Sequence, residues 1–231
     1  MAEMNEHELT DEERQQLELV TGNPEMLAGI VGDLSGASRR KRQTAAHVVA
    51  IVAEYRPEAL DAHVPELLDA LARPEAQTRW EILNALAMLV STHAKEIGSV
   101  YEDAEDALFD EDSATLRLAA FRLLAVWGGT ERRRSEKVWP ILEEAIRCYH
   151  GDLEYRDMLG YLYEFAAGKI DGKVAAELAG RLAFDAESGK GAYIRARSSE
   201  IYEMLVKRFK LEKPKPRARV TKEDDDTNDE E

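Results

Sequence analysis

Five arginines, Arg42, Arg79, Arg117, Arg156 and Arg195, recur at intervals of 37, 38, 39 and 39 residues, and this spacing constrains the chain more than any other feature. Each opens a segment with the same apolar pattern. Three residues on stand Ala45, Ile82, Ala120 and Leu159, and seven on stand Val49, Leu86, Leu124 and Tyr163; the fifth segment has Ser198 and Tyr202. At about 100° per residue these positions share one helix face, extended by Val52, Leu89 and Leu205, and predict a buried stripe.

A first helix is predicted before each of these. Its pattern is Val64, Leu68 and Leu71, then Val138, Leu142 and Ala145, then Val174, Leu178 and Leu182, with a weaker match in Val100, Ala104 and Leu108. Pro65 and Pro140 fall near the predicted starts, where proline's fixed φ suits a first helical turn. Turn-forming stretches separate the two helices: 36–38, 74–77, 110–114, 151–152 and 187–191. A helix pair of this length cannot bury its apolar face alone, so neighbouring pairs must stack around a shared core.

The period, the apolar pattern and the small residues behind the arginine, as in Arg117-Leu118-Ala119-Ala120, resemble HEAT repeats over roughly residues 23–208. The resemblance implies an all-α, right-handed α-solenoid of about five HEAT-like (armadillo-like) helix pairs. It also implies a ladder in which an acid of the turn pairs with the arginine, a pattern matched by Asp112 before Arg117, Asp152 before Arg156 and Glu75 before Arg79. Arg42 and Arg195 lack such an acid nearby.

Ahead of the repeats, Thr10-Asp11-Glu12-Glu13 has the spacing of a capping box and predicts a short helix from Asp11 to Val20. The expected organisation is an acidic arm with a capping helix (1–22), a repeat domain (23–210) and a disordered charged tail (211–231). The tail reading rests on Pro214, Pro216 and opposite charge blocks with almost no apolar residue.

Hydrophobic residues make up 44% of the chain and charged residues 33%, enough for a core beneath a solvated surface. The formal charge of −15 disfavours nucleic acid and anionic membranes at long range. The charge is uneven: residues 207–222 hold eight bases and one acid, whereas residues 223–231 hold seven acids and no base. Cys148 is the only cysteine, so no intrachain disulfide forms, and the acidic start is no secretory signal; a cytoplasmic location is expected.

Motifs for catalysis, cofactors and metals do not occur in the sequence. Cys148 and His150 read as a packed thiol beside a turn histidine. Glu143 with Glu144, and Asp103 with Asp106, read as solvated helix faces. Length and HEAT-like architecture also resemble the alkylation-repair DNA glycosylases, but Trp80 is followed one turn later by Asn84 rather than an acid, and their tryptophan, acid and arginine set is missing. No enzymatic activity, cofactor or metal is expected.

Positions one, five and eight residues after each arginine point away from the buried stripe, and in HEAT-like solenoids that side is concave. The candidate partner-binding residues there are His47, Trp80, Asn84, Arg122, Tyr161, Glu164 and Glu200. Trp, Tyr and Arg are the residue types most enriched at interaction hot spots. The sequence therefore predicts a non-catalytic scaffold or adaptor for a protein partner. The alternatives are nucleic-acid binding through the basic stretch 207–222 and, behind it, a glycosylase-like enzyme. The clusters Arg39–Arg42 and Arg132–Arg134 are placed on loops at helix junctions.

Overall fold

The computed structural model describes residues 9–212, and from residue 213 onward the charged tail lies outside the described residues. Eleven α-helices and two short 3-10 turns make up the described chain, with no strand among these residues. Helix α1 (Asp11–Thr21) is the expected cap. The Thr10 side chain accepts the Glu13 N–H, and the Glu13 carboxylate accepts the Thr10 N–H at 2.8 Å, so two otherwise free donors are satisfied together.

Five helix pairs follow: α2 (Pro24–Asp33) with α3 (Arg39–Tyr55), α4 (Val64–Ala70) with α5 (Ala76–Ile97), and α6 (Tyr101–Leu108) with α7 (Ala114–Gly128). The last two are α8 (Arg132–Tyr149) with α9 (Tyr155–Ala167), and α10 (Gly172–Ser188) with α11 (Ala192–Phe209). Side-chain caps start several of them, with Asn23, Ser38, Ser113 and Asp171 each accepting a backbone N–H of the first turn. No helix among the described residues is long and apolar enough to cross a membrane.

The arginine period marks equivalent positions. Arg42, Arg79, Arg117 and Arg195 are each the fourth residue of a second helix, and Arg156 is the second residue of α9. The stripe behind them is the core: Ala45, Val49, Val52, Ile82, Leu86, Leu89, Ala120, Leu124, Leu159, Ser198 and Leu205 are all buried. Tyr163 and Tyr202 pack partly buried against it. The second helices stack on one another without a break, α3 on α5, α5 on α7, α7 on α9 and α9 on α11, whereas first helices of successive pairs barely touch. A double layer tight on one side and open on the other bends toward the tight side, which makes the second-helix face concave.

Two local expectations are corrected. Helix α8 begins at Arg132, six residues before Val138, so Pro140 lies inside it rather than in its first turn, at the loss of the bond its N–H would give the Glu136 carbonyl. Arg39–Arg42 and Arg132–Arg134 accordingly form the first turns of α3 and α8 and are not loop residues. The apolar pattern identifies a helix only where its face is buried, and the polar opening turn of α8 carries none.

The arginine ladder also differs from its expected form. Arg42 pairs with Glu75, and Arg117 Nε donates to Glu154 Oε1 at 3.0 Å; in each case the acid belongs to the next repeat and is the N-cap residue of its second helix. The same guanidinium also binds its own turn, Arg42 at the Gly36 carbonyl (2.7 Å) and Arg117 at the Asp110 carbonyl (2.8 Å). Asp112 and Asp152 are exposed and take no part. Arg156 instead stacks on the Tyr193 ring of the next repeat, 4.2 Å from its centroid. The arginine clamps a turn to the repeat ahead, so an acid preceding it in its own turn sits on the wrong side.

Two predictions follow from this packing. Leu86→Ala and Leu124→Ala should each lower unfolding free energy by about 2–5 kcal/mol in a denaturant titration, since both leave a cavity in a core shared by adjacent repeats. The Arg42 hydrogen bond holds the Glu75 carboxyl below its ordinary range. Its contribution to stability is therefore present above that range and lost as pH falls through the lowered value. Glu75→Gln should destabilise the chain at neutral pH, and the difference from the native protein should close below about pH 4. A difference that stays constant down to low pH would contradict the assigned pairing.

Candidate functional site

Each second helix contributes one column to the concave face, and cross-repeat contacts join the columns into a surface. The central group is Arg122 on α7. Its Nη1 donates to Asn84 Oδ1 of α5 at 3.2 Å, its Nη2 approaches Met88 Sδ at 3.1 Å, and its guanidinium carbon lies 5.8 Å from the Tyr161 ring of α9. Three predicted residues from three successive repeats are thus brought together. Ala87 and Ala125 are buried between the same helices, where a small side chain permits their close approach.

Tyr161 and Glu164 lie one turn apart on α9, both half-buried. Burial pushes the Tyr161 hydroxyl above its ordinary pKa, with nearby Arg122 opposing the shift. Burial likewise pushes the Glu164 carboxyl upward, while Arg122 and Arg197 pull it back. Neither arginine is within hydrogen-bond or ion-pair reach of that carboxylate: Arg122 is engaged by Asn84, and Arg197 of α11 donates to Glu200 at 2.6 Å and lies 4.9 Å from the Tyr163 ring. Glu164 is a half-buried carboxylate without a hydrogen-bonding partner among the described residues. Partial burial without a hydrogen bond disfavours the charged form.

The remaining predicted residues have other surroundings. His47 is exposed but held between two elements, with Nδ1 3.2 Å from Glu81 of α5 and Nε2 3.9 Å from Glu13 of α1, so it ties the cap to the second repeat. Trp80 packs partly buried against the core. Glu200 is exposed and paired with Arg197, a residue outside the expected columns; the i,i+3 spacing of opposite charges was its only signal in the sequence. Met88 carries no such signal, because a methionine 34 residues before Arg122 says nothing until the helices are stacked.

One polar cluster lies elsewhere. Buried Asp185 of α10 accepts the Tyr155 hydroxyl at 2.6 Å and faces His150 Nε2 at 2.9 Å, joining the last two repeats. Burial and the Asp185 hydrogen bond raise the Tyr155 pKa well above its ordinary value. Cys148 is exposed, not packed as expected, and His150 is spent on Asp185 rather than on the thiol. The described residues hold no group of three or more His, Cys, Asp or Glu placed to bind a metal ion.

No protein-family model and no curated protein matches the sequence. Solved structures do match the fold. A designed armadillo repeat protein in complex with the peptide (KR)4 superposes with a TM-score of 0.62 at 14% identity, covering 84% of this chain and 91% of that one. Computationally designed armadillo repeat proteins for modular peptide recognition give 0.61 at 14% identity, over 83% and 91%. A further engineered protein gives 0.59 at 16% identity, over 84% and 89%. At such identities the likeness concerns the fold alone, and with the arginine-phased helix pairs it establishes a HEAT/armadillo-like helical repeat.

Proposed function

We propose that the chain is a non-catalytic scaffold or adaptor whose concave second-helix face binds an extended, basic segment of a protein partner. The observation that carries this reading is Glu164: a half-buried carboxylate on that face, raised in pKa by burial and left without a hydrogen bond. A lysine or arginine of a peptide laid across α9 and α11 supplies the missing partner. Asp157, Glu200 and Glu203 add exposed acids around it, and Tyr161 and Trp80 offer aromatic surface for side chains of the same segment. The designed armadillo proteins that match the fold, one of them in complex with (KR)4, support peptide binding as the use of such a face. A reducing, cytoplasmic setting is proposed with it and suits the exposed thiol of Cys148.

The test uses the full chain and a fluorescent (KR)4 peptide in an anisotropy titration. Glu164→Gln should weaken binding by about 10- to 100-fold, the range of a charge-assisted hydrogen bond, and Tyr161→Ala by about 30-fold or more. Affinity of the native chain should fall on acidification, because a proton on Glu164 competes with the peptide cation; its raised pKa places that loss at a higher pH than an ordinary glutamate would. An ionised, desolvated Glu164 also opposes folding, so Glu164→Gln should leave stability unchanged or raise it. Weakened binding together with unfolding would mark Glu164 as structural and contradict the proposal, as would equal affinity of both chains.

A further inference from the structure

Three segments converge where α7 and α9 end: the first turn of α8, the turn between α9 and α10, and the last turn of α11. Two glycines permit the approach. The Lys169 N–H donates to the Gly129 carbonyl at 2.6 Å, and a Cβ on Gly168 would stand 2.4 Å from that oxygen. Arg208 Nη1 donates to the Ala166 carbonyl at 2.8 Å and holds the end of α11 against the end of α9. Between them opens a cleft of about 860 Å³ whose walls carry Arg132, Arg133, Lys169 and Arg208, the Phe209 ring and one acid, Glu131.

These cations are short of local anions. Glu131 lies 3.9 Å from Arg134, outside the cleft. Asp171 accepts the Lys173 N–H at 2.8 Å as the cap of α10. Glu136, one turn beyond Arg132, forms no ion pair with it, and Arg132, Arg133 and Lys169 have no ion-pair partner among the described residues. Arg132 and Arg133 also occupy the first turn of α8, where the positive end of the helix dipole opposes a cation and favours an anion. In a chain of charge −15, an unpaired positive cleft calls for a specific anionic occupant.

The chain carries such an anion close by. Phe209 lines the cleft, the described chain ends at Glu212, and the seven acids of residues 223–231 begin eleven residues later. Eleven residues reach at most about 40 Å, ample to return to the cleft. Because the encounter is intramolecular, the effective concentration is on the order of millimolar. An external polyanion has no such advantage, and it meets the net negative field of the repeats.

We propose that this cleft is the docking site of the chain's own acidic segment 223–231, whose carboxylates pair with Arg132, Arg133 and Lys169. The test is nuclear magnetic resonance of the full, ¹⁵N-labelled chain. Replacing Glu223, Asp224, Asp225 and Asp226 by their amides should shift the amide resonances of Arg132, Arg133 and Lys169 while leaving those of Tyr161 and Glu164 in place. Reciprocally, Arg132→Gln, Arg133→Gln and Lys169→Gln together should shift the resonances of residues 223–231. Both effects should be lost in about 0.5 M salt, where the screening length falls to about 4 Å. Resonances of 223–231 that are identical in the native and triple-variant chains would overturn the proposal. So would tail neutralisation that moves only residues 213–222. A cleft that ignores the tail but shifts on addition of inorganic polyphosphate would belong to an external polyanion, and the proposal would fail.

Discussion

No helix pair of this chain can hide its apolar stripe by itself, and everything else in the structure is arranged around the stacking that hides it. Val49, Leu86, Leu124 and Leu159 are buried because the second helix of each repeat lies against the second helix of the next. Stability is then close to a sum of nearest-neighbour interfaces. Three of the five phased arginines, Arg42, Arg117 and Arg156, act on that interface. By reaching from its own turn carbonyl to the N-cap acid of the following second helix, Arg42 and Arg117 set the relative placement of two helix starts.

Where the next repeat offers no acid, the same requirement is met by other means. Arg156 lies against Tyr193, and Asp185 joins the last two repeats through Tyr155 and His150. Trp127 of α7 donates its indole N–H to the Ala94 carbonyl of the preceding repeat at 2.7 Å. The interface between repeats is thus always tied by a polar contact, but its chemistry changes along the stack.

Tight stacking of the second helices also shapes the candidate surface. Small residues such as Ala87 and Ala125 let the helices close up, and this gathers Asn84, Arg122, Tyr161 and Glu164 from three repeats into one group. The same closure half-buries Glu164 without giving it a hydrogen bond. On the proposed reading, a cation of the partner segment supplies the hydrogen-bonding partner that Glu164 lacks.

The fold was legible in the sequence because burial is periodic: a stripe that recurs every three to four residues within a helix, and every 37 to 39 residues along the chain, is written in residue types alone. The capping helix was legible for the same reason, as Thr10 and Glu13 act over three residues of local chain. What the sequence could not decide were relations between residues 33 to 38 apart: that Arg42 meets Glu75 and Arg117 meets Glu154, while Asp112 and Asp152 stay solvated; that His47 is clasped by Glu13 and Glu81; that Arg122 is engaged by Asn84 and Glu164 is left without a hydrogen bond. Each of these depends on how far one helix is shifted and rotated against the next, a quantity that no local pattern encodes. Only the packed solenoid settles it, because side-chain contacts, and the water they exclude, exist between repeats and not within them.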